Sequence, residues 1–148
     1  MGKGKQNKFK ARNAASYKRE VGSIETKQGD REPLIVLSFR DFDRNQGQSF
    51  EEWEHERLLA LAVSKLREVC QLTVGQATAK QIIKPYTKVG FPPESGFVHP
   101  KHILPDTTWC SMHIQGKECV IGYFEDHIFQ IVFLDKDHEF WITKKKNT

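Results

Sequence analysis

The sequence predicts an α+β domain: a strand, one long and one short helix, then a three- to four-stranded antiparallel β-meander, all preceded by a flexible basic N-terminal arm. Three observations carry that expectation. Apolar runs rich in Val, Ile, Phe and Trp follow one another over 109–114, 118–125 and 128–135, with a short fourth piece at 139–142; runs of this length bounded by turn residues read as strands. The breaks hold only Gly116-Lys117, Asp126-His127 and Asp135-Lys136-Asp137-His138, and connections so short join antiparallel neighbours. Ahead of them Ser49 precedes Glu52 by three residues, the reciprocal capping signature of a helix start.

In chain order, residues 1–32 hold many Lys, Gln, Gly and Asn and few large apolar side chains. Such a segment buries too little surface to offset its ordering entropy. It is expected to be a mobile arm, with Ala11 to Glu20 able to form a helix on a polyanion. The ordered domain is expected over 33–143 and a basic tail over 144–148. LIVLSF (34–39) predicts a strand buried on both faces. Glu51, Glu52, Glu54 and Glu56 crowd the positive end of a helix dipole, and Leu58, Leu61, Ala62, Leu66 and Val69 recur on one helical face; together they predict one helix from 50 to about 70. Thr73 with Gln76 predicts a second capping box and a shorter helix over 74–84, which Pro85 ends. Residues 85–108 contain Pro85, Pro92, Pro93, Pro100 and Pro105 and are expected to form a long irregular loop, of the binding or the disordered kind.

At 148 residues the chain suits one domain with a real core. No apolar run approaches the ~20 residues that span a bilayer, and no apolar stretch follows the basic N-terminus as in a secretory signal, so no membrane partner is expected. Cys70, Cys110 and Cys119 are odd in number and irregular in spacing, which points to a reducing compartment, the cytoplasm. The net charge of +4 is unevenly spread: Lys3, Lys5, Lys8, Lys10, Arg12, Lys18 and Arg19 face Glu20 alone, and Lys144, Lys145 and Lys146 lie near the other end. The stretch 21–143 is therefore net acidic. Basic ends of this kind are expected to contact nucleic acid, because phosphate neutralisation needs no folded surface.

The histidines supply the candidate chemistry. His99, His102, Cys110 and His113 have zinc-like spacing. However, Cys110 and His113 fall three apart on a strand and so point to opposite faces; no metal and no cofactor is expected. His138, beside Asp135 and Asp137, is a candidate general acid or base. His127 and His138 occupy turns at opposite ends of the meander and do not share a site. The aromatic pair Phe140-Trp141 is expected to anchor the chain end to the sheet. The sequence has no phosphate-binding glycine loop, CxxC pair, GxSxG or HExxH, so hydride transfer, ATP use and serine hydrolysis lack support.

With the closing sequence CVIGYFEDHIFQIVFLDKDHEFW, this element order resembles the RelE/ParE superfamily of small toxins, in topology over 34–142 and in residue detail over 117–141. The resemblance implies a toxin of a toxin–antitoxin pair. It implies a metal-independent endoribonuclease that acts on RNA or the ribosome and is held by a neutralising protein partner. The family's strand arginine falls here on Cys119 or Glu118, with Lys117 the nearest cation. RNA cleavage without metal needs a base, an acid and a cation. His138, a loop histidine (His102 or His99) and Lys117 are the candidates for those roles. The acidic domain supports an alternative of another class: a non-catalytic protein that holds a protein partner with its domain and touches nucleic acid with its arm.

Overall fold

The structure, a computed structural model, describes residues 32–87 and 90–142. The basic arm (all but Glu32) and the basic tail lie outside those residues, and with them Lys3, Lys5, Lys8, Lys10, Arg12, Lys18, Arg19, Lys144, Lys145 and Lys146. The described chain is α+β: strand β1 (Val36–Ser38), helices α1 (Phe50–His55), α2 (Leu59–Val69) and α3 (Val74–Ala79), then strands β2 (Lys84–Pro85), β3 (Trp109–His113), β4 (Cys119–Glu125) and β5 (Ile128–Asp135). The sheet order is β1-β5-β4-β3-β2. β3, β4 and β5 form the expected antiparallel meander, and β2 adds antiparallel to β3. β1 lies parallel to β5, which makes the sheet mixed.

Both capping boxes form. The Ser49 side chain accepts the Glu52 amide, and the Glu52 carboxylate accepts the Ser49 amide; Thr73 and Gln76 repeat the exchange. Four expectations are corrected. The helix expected over 50–70 is two helices, broken at Arg57, whose φ is +62°. Trp53 and Leu58 are both buried, but on a continuous helix they would stand about 140° apart. The break, closed by the Leu58 amide on the Trp53 carbonyl at 2.8 Å, turns both inward and leaves Leu61 facing out. The short helix ends at Ala79 rather than 84, with Gln81 at φ +57°, so the chain has already left the helix before Pro85 enters β2. β1 is not buried on both faces: it is an edge strand, and Val36 is 50% exposed. The fourth short piece at 139–142 forms no strand; there Phe140 plugs a second core instead.

The sheet separates two cores. On one face the helices supply Trp53, Ala62, Leu66 and Val69 against Met112, Val120 and Ile131. On the other face the long loop and the chain end supply Phe97, Ile103 and Phe140 against Trp109, Ile121 and Phe133. The proline-rich segment is thus a packed cover. The Gln46 side chain ties it down, accepting from the Val98 amide at 2.7 Å and donating to the Val98 carbonyl at 2.8 Å.

A β-bulge decides which face the end of β5 presents. Ile121 pairs with Phe133 but Gly122 pairs with Ile131, which leaves Val132 as the extra residue. Before the bulge Phe129 and Ile131 face the helices; after it Leu134 does, so the parity of the strand flips and Asp135 returns to the opposite face. Gly122 permits the bulge, because a Cβ there would fall well inside contact distance of the Gln130 carbonyl oxygen. Gly122→Ala is expected to destabilise the fold by about 1–3 kcal/mol through this overpacking, measured by chemical denaturation. An unchanged midpoint would show that β5 can shift freely.

Candidate active site at the end of the sheet

Register alone assembles a row of polar side chains on the loop-covered face. His113 pairs with Cys119 across β3–β4, and Cys119 pairs with Asp135 across β4–β5. Directly opposed residues share a face with their Cβ atoms ~5 Å apart. The chain then turns through Lys136-Asp137 and brings His138 back over the row. The turn is held by Asp135, a buried carboxylate whose two oxygens accept the Glu139 amide at 2.9 Å and the Phe140 amide at 2.8 Å. His138 itself has φ +59°, a left-handed conformation that a β-carbon makes costly and that neighbouring structure must enforce.

The outcome is three donor side chains in one place. The rings of His113 and His138 stack with centroids 5.3 Å apart at 27°. The Cys119 sulfur lies 3.5 Å from Nδ1 and 3.9 Å from Nε2 of His113. Both histidines are half-buried and the cysteine is buried. His113 Nδ1–H donates to the Gly116 carbonyl at 2.8 Å, which in the neutral ring leaves the lone pair on Nε2. Burial pushes the Cys119 thiol up to about 12, with Asp135 and Glu118 adding to the shift and Lys84 opposing it. The thiol is therefore protonated at neutral pH and is no nucleophile there. Lys117 flanks the row with its Nζ 3.7 Å from an Asp137 oxygen.

Of the residues singled out from the sequence, Lys117 and His138 meet at this end. His102 does not: its Nε2–H donates to the Asp41 carbonyl at 2.9 Å, and Asp41 accepts from the Tyr123 hydroxyl. Tyr123 lies four residues along β4 from Cys119, roughly 13 Å away. His99 is packed between Phe91 and Trp109. The four-residue zinc frame weighed from spacing is therefore not assembled. Cys110 joins the helix-side core while His113 faces the other way. His113 and Cys119 were not paired by sequence spacing, yet the signal was present: two strands joined by a tight turn set their flanking residues opposite one another.

A second polar cluster occupies the other end of the sheet. Arg40 bridges Asp41 and Glu125, and both the Tyr123 hydroxyl and the Gln130 amide reach into the same carboxylates. The hydrogen bond from Arg40 holds the Asp41 carboxyl below its usual range, and burial, with the Asp41 carboxylate, raises the Tyr123 phenol above its own. Two carboxylates already neutralise Arg40.

Fold and site together define a small α+β domain whose sheet end carries a part-buried His–Cys–His group with a lysine beside it. Comparison of the chain with protein-family models, with curated proteins and with solved structures gives no match. No helix of the described residues is long and apolar enough to cross a membrane.

Proposed function

We propose that the protein is a RelE/ParE-like toxin: a metal-independent endoribonuclease that acts on RNA, free or on the ribosome, and is restrained by a partner protein. The observation that carries the reading is the pair of half-exposed imidazoles 5.3 Å apart with a lysine at their rim. His113 takes the place first given to His102. Its Nε2 lone pair accepts the proton of the ribose 2′-hydroxyl; the oxygen attacks phosphorus and the bond to the leaving oxygen breaks. His138 donates the proton that the leaving oxygen takes up, and the Lys117 ammonium offsets the charge that builds on the phosphoryl oxygens. Residues 3–19 and 144–146 supply sequence-tolerant affinity for the polyanion. The reading also rests on the resemblance of the closing sequence, residues 117–141, to that family.

The test is direct. Purified protein, with excess chelator, is expected to cut an end-labelled RNA to a cyclic phosphate and a free 5′-hydroxyl, and a 2′-deoxy sugar at the cut position should block cleavage. Induced expression in a bacterium should arrest growth and bulk translation. RNA that stays intact both with and without ribosomes, together with unarrested growth, would refute the reading.

A different observation favours a second reading, in which the domain holds a protein partner without catalysis. Leu34, Val36, Phe39 and Val63 are each about half exposed, and Phe39, Phe50 and Val63 line an apolar hollow between β1, α1 and α2. Among the described residues no strand pairs with the outer edge of β1 over Val36–Ser38; just before it, Leu34 bridges Thr73. Such an edge beside an apolar hollow suits an added strand from a partner, which in the toxin reading is the neutralising protein.

A further inference from the structure

We infer that His113, Cys119 and His138 form a binding site for one thiophilic divalent cation of the zinc class. One ligand atom from each lies within 4.8 Å of the others. The ligand atoms of a tetrahedral zinc, with bonds of ~2.0–2.3 Å, stand roughly 3.3–3.8 Å apart. The Cys119 sulfur is already 3.5 Å and 3.9 Å from the two ring nitrogens of His113, so closing on an ion needs only small side-chain movements. The donor set selects the metal: two imidazoles and one sulfur suit zinc and exclude magnesium and calcium, which take oxygen. The outer contacts are those of a metal ligand. His113 donates Nδ1–H to the Gly116 carbonyl at 2.8 Å, the bond that fixes the tautomer and turns Nε2 toward an ion. Asp135 holds the turn that carries His138. Both histidines are half-buried, which leaves a fourth position to water.

Charge and protonation set the conditions. Asp135, Glu118 and Lys84 act on the Cys119 thiol, and Lys117 pairs with Asp137, the residue before His138, at 3.7 Å. The Cys119 thiol must release its proton to bind, so apparent affinity rises by about tenfold or more per pH unit while that proton is bound. A bound ion engages both imidazoles. On the cleavage reading above, zinc therefore silences the enzyme; that corollary rests on the reading, whereas the site itself does not.

The test uses the full chain with reduced thiols and Co²⁺ alone as the probe. We expect one equivalent to bind with tetrahedral d–d bands and a thiolate-to-cobalt charge-transfer band, all removed by one equivalent of Zn²⁺. Cys119→Ser should lose the charge-transfer band, while Cys70→Ser and Cys110→Ser should keep it. His138→Asn, at a half-buried position whose backbone conformation Asn tolerates, should weaken binding about tenfold or more and so tests the site even if the buried Cys119→Ser does not fold. A wild-type spectrum without charge transfer, or full affinity in folded His138→Asn, overturns the site. Cobalt binding without RNA cleavage would leave the site standing and remove the toxin reading; cleavage without cobalt binding would do the reverse.

Discussion

Phe140→Ala is expected to cost about 3–5 kcal/mol, the usual loss for a buried phenyl ring, and to free the chain end from the sheet. Phe140 is fully buried and touches Tyr86, Phe91, Phe97, Trp109 and Phe133, with centroids 5.2–5.9 Å apart. It thus joins the long loop, β3 and β5 in one contact. A domain of this size has a total stability of about 5–15 kcal/mol, so the variant stands near the unfolding threshold. Trp141→Ala should cost far less. Trp141 is only half-buried and stacks on Tyr86 at 4.7 Å and 8°, an arrangement worth about 0.5–1.5 kcal/mol beyond its area. Guanidinium denaturation of the two variants checks the order. If Trp141→Ala were the more damaging, the chain end would be held by the stacked pair and not by the plug.

The contrast between those neighbours shows where sequence reading loses resolution. Both aromatics read as anchors, because hydrophobicity alone does not say which of two adjacent rings points inward. Here the choice is made by the Asp135 carboxylate, which captures the Glu139 and Phe140 amides and so fixes the direction of the turn. β3, β4 and β5 were legible almost to the residue, since each is an apolar run closed by polar turn residues. The break at Arg57 was not: the apolar stripe of 58–69 is continuous with a helix start at Ser49, and only tertiary burial of both Trp53 and Leu58 forces the chain to kink. The loop 85–108 lacked periodicity, so nothing local marked Phe97 and Ile103 as core. The site was half legible. His138 stood out between an acidic turn and an aromatic pair. His113 was weighed by linear spacing with Cys110, three residues away and on the opposite face of β3, whereas its true neighbour Cys119 follows from strand pairing. The bulge at Val132, which returns Asp135 to the site's face, left no mark except Gly122 in an otherwise bulky strand.

His138→Asn and His113→Gln are each expected to lower RNA cleavage by about 10²–10⁴-fold, the usual contribution of one general acid or base, while leaving the fold intact. Asn is the informative replacement at 138. It tolerates the left-handed backbone that His138 adopts at φ +59°, so the Asp135 turn survives and stability should move by no more than about 0.5 kcal/mol. Gln at 113 can still donate to the Gly116 carbonyl that His113 now engages, so the hairpin end keeps its hydrogen bond while losing an acceptor that can move a proton. The two losses should not multiply. Base and acid act on the same phosphoryl transfer, and once either is gone the other has little left to assist, so the double variant should be nearly as active as the poorer single one. Single-turnover cleavage of a defined RNA, with circular dichroism to confirm folding, measures all three. Full activity in folded His138→Asn would leave the imidazole pair without a catalytic part. The half-exposed apolar edge at Val36 and Phe39 would then be the better guide to what this domain does.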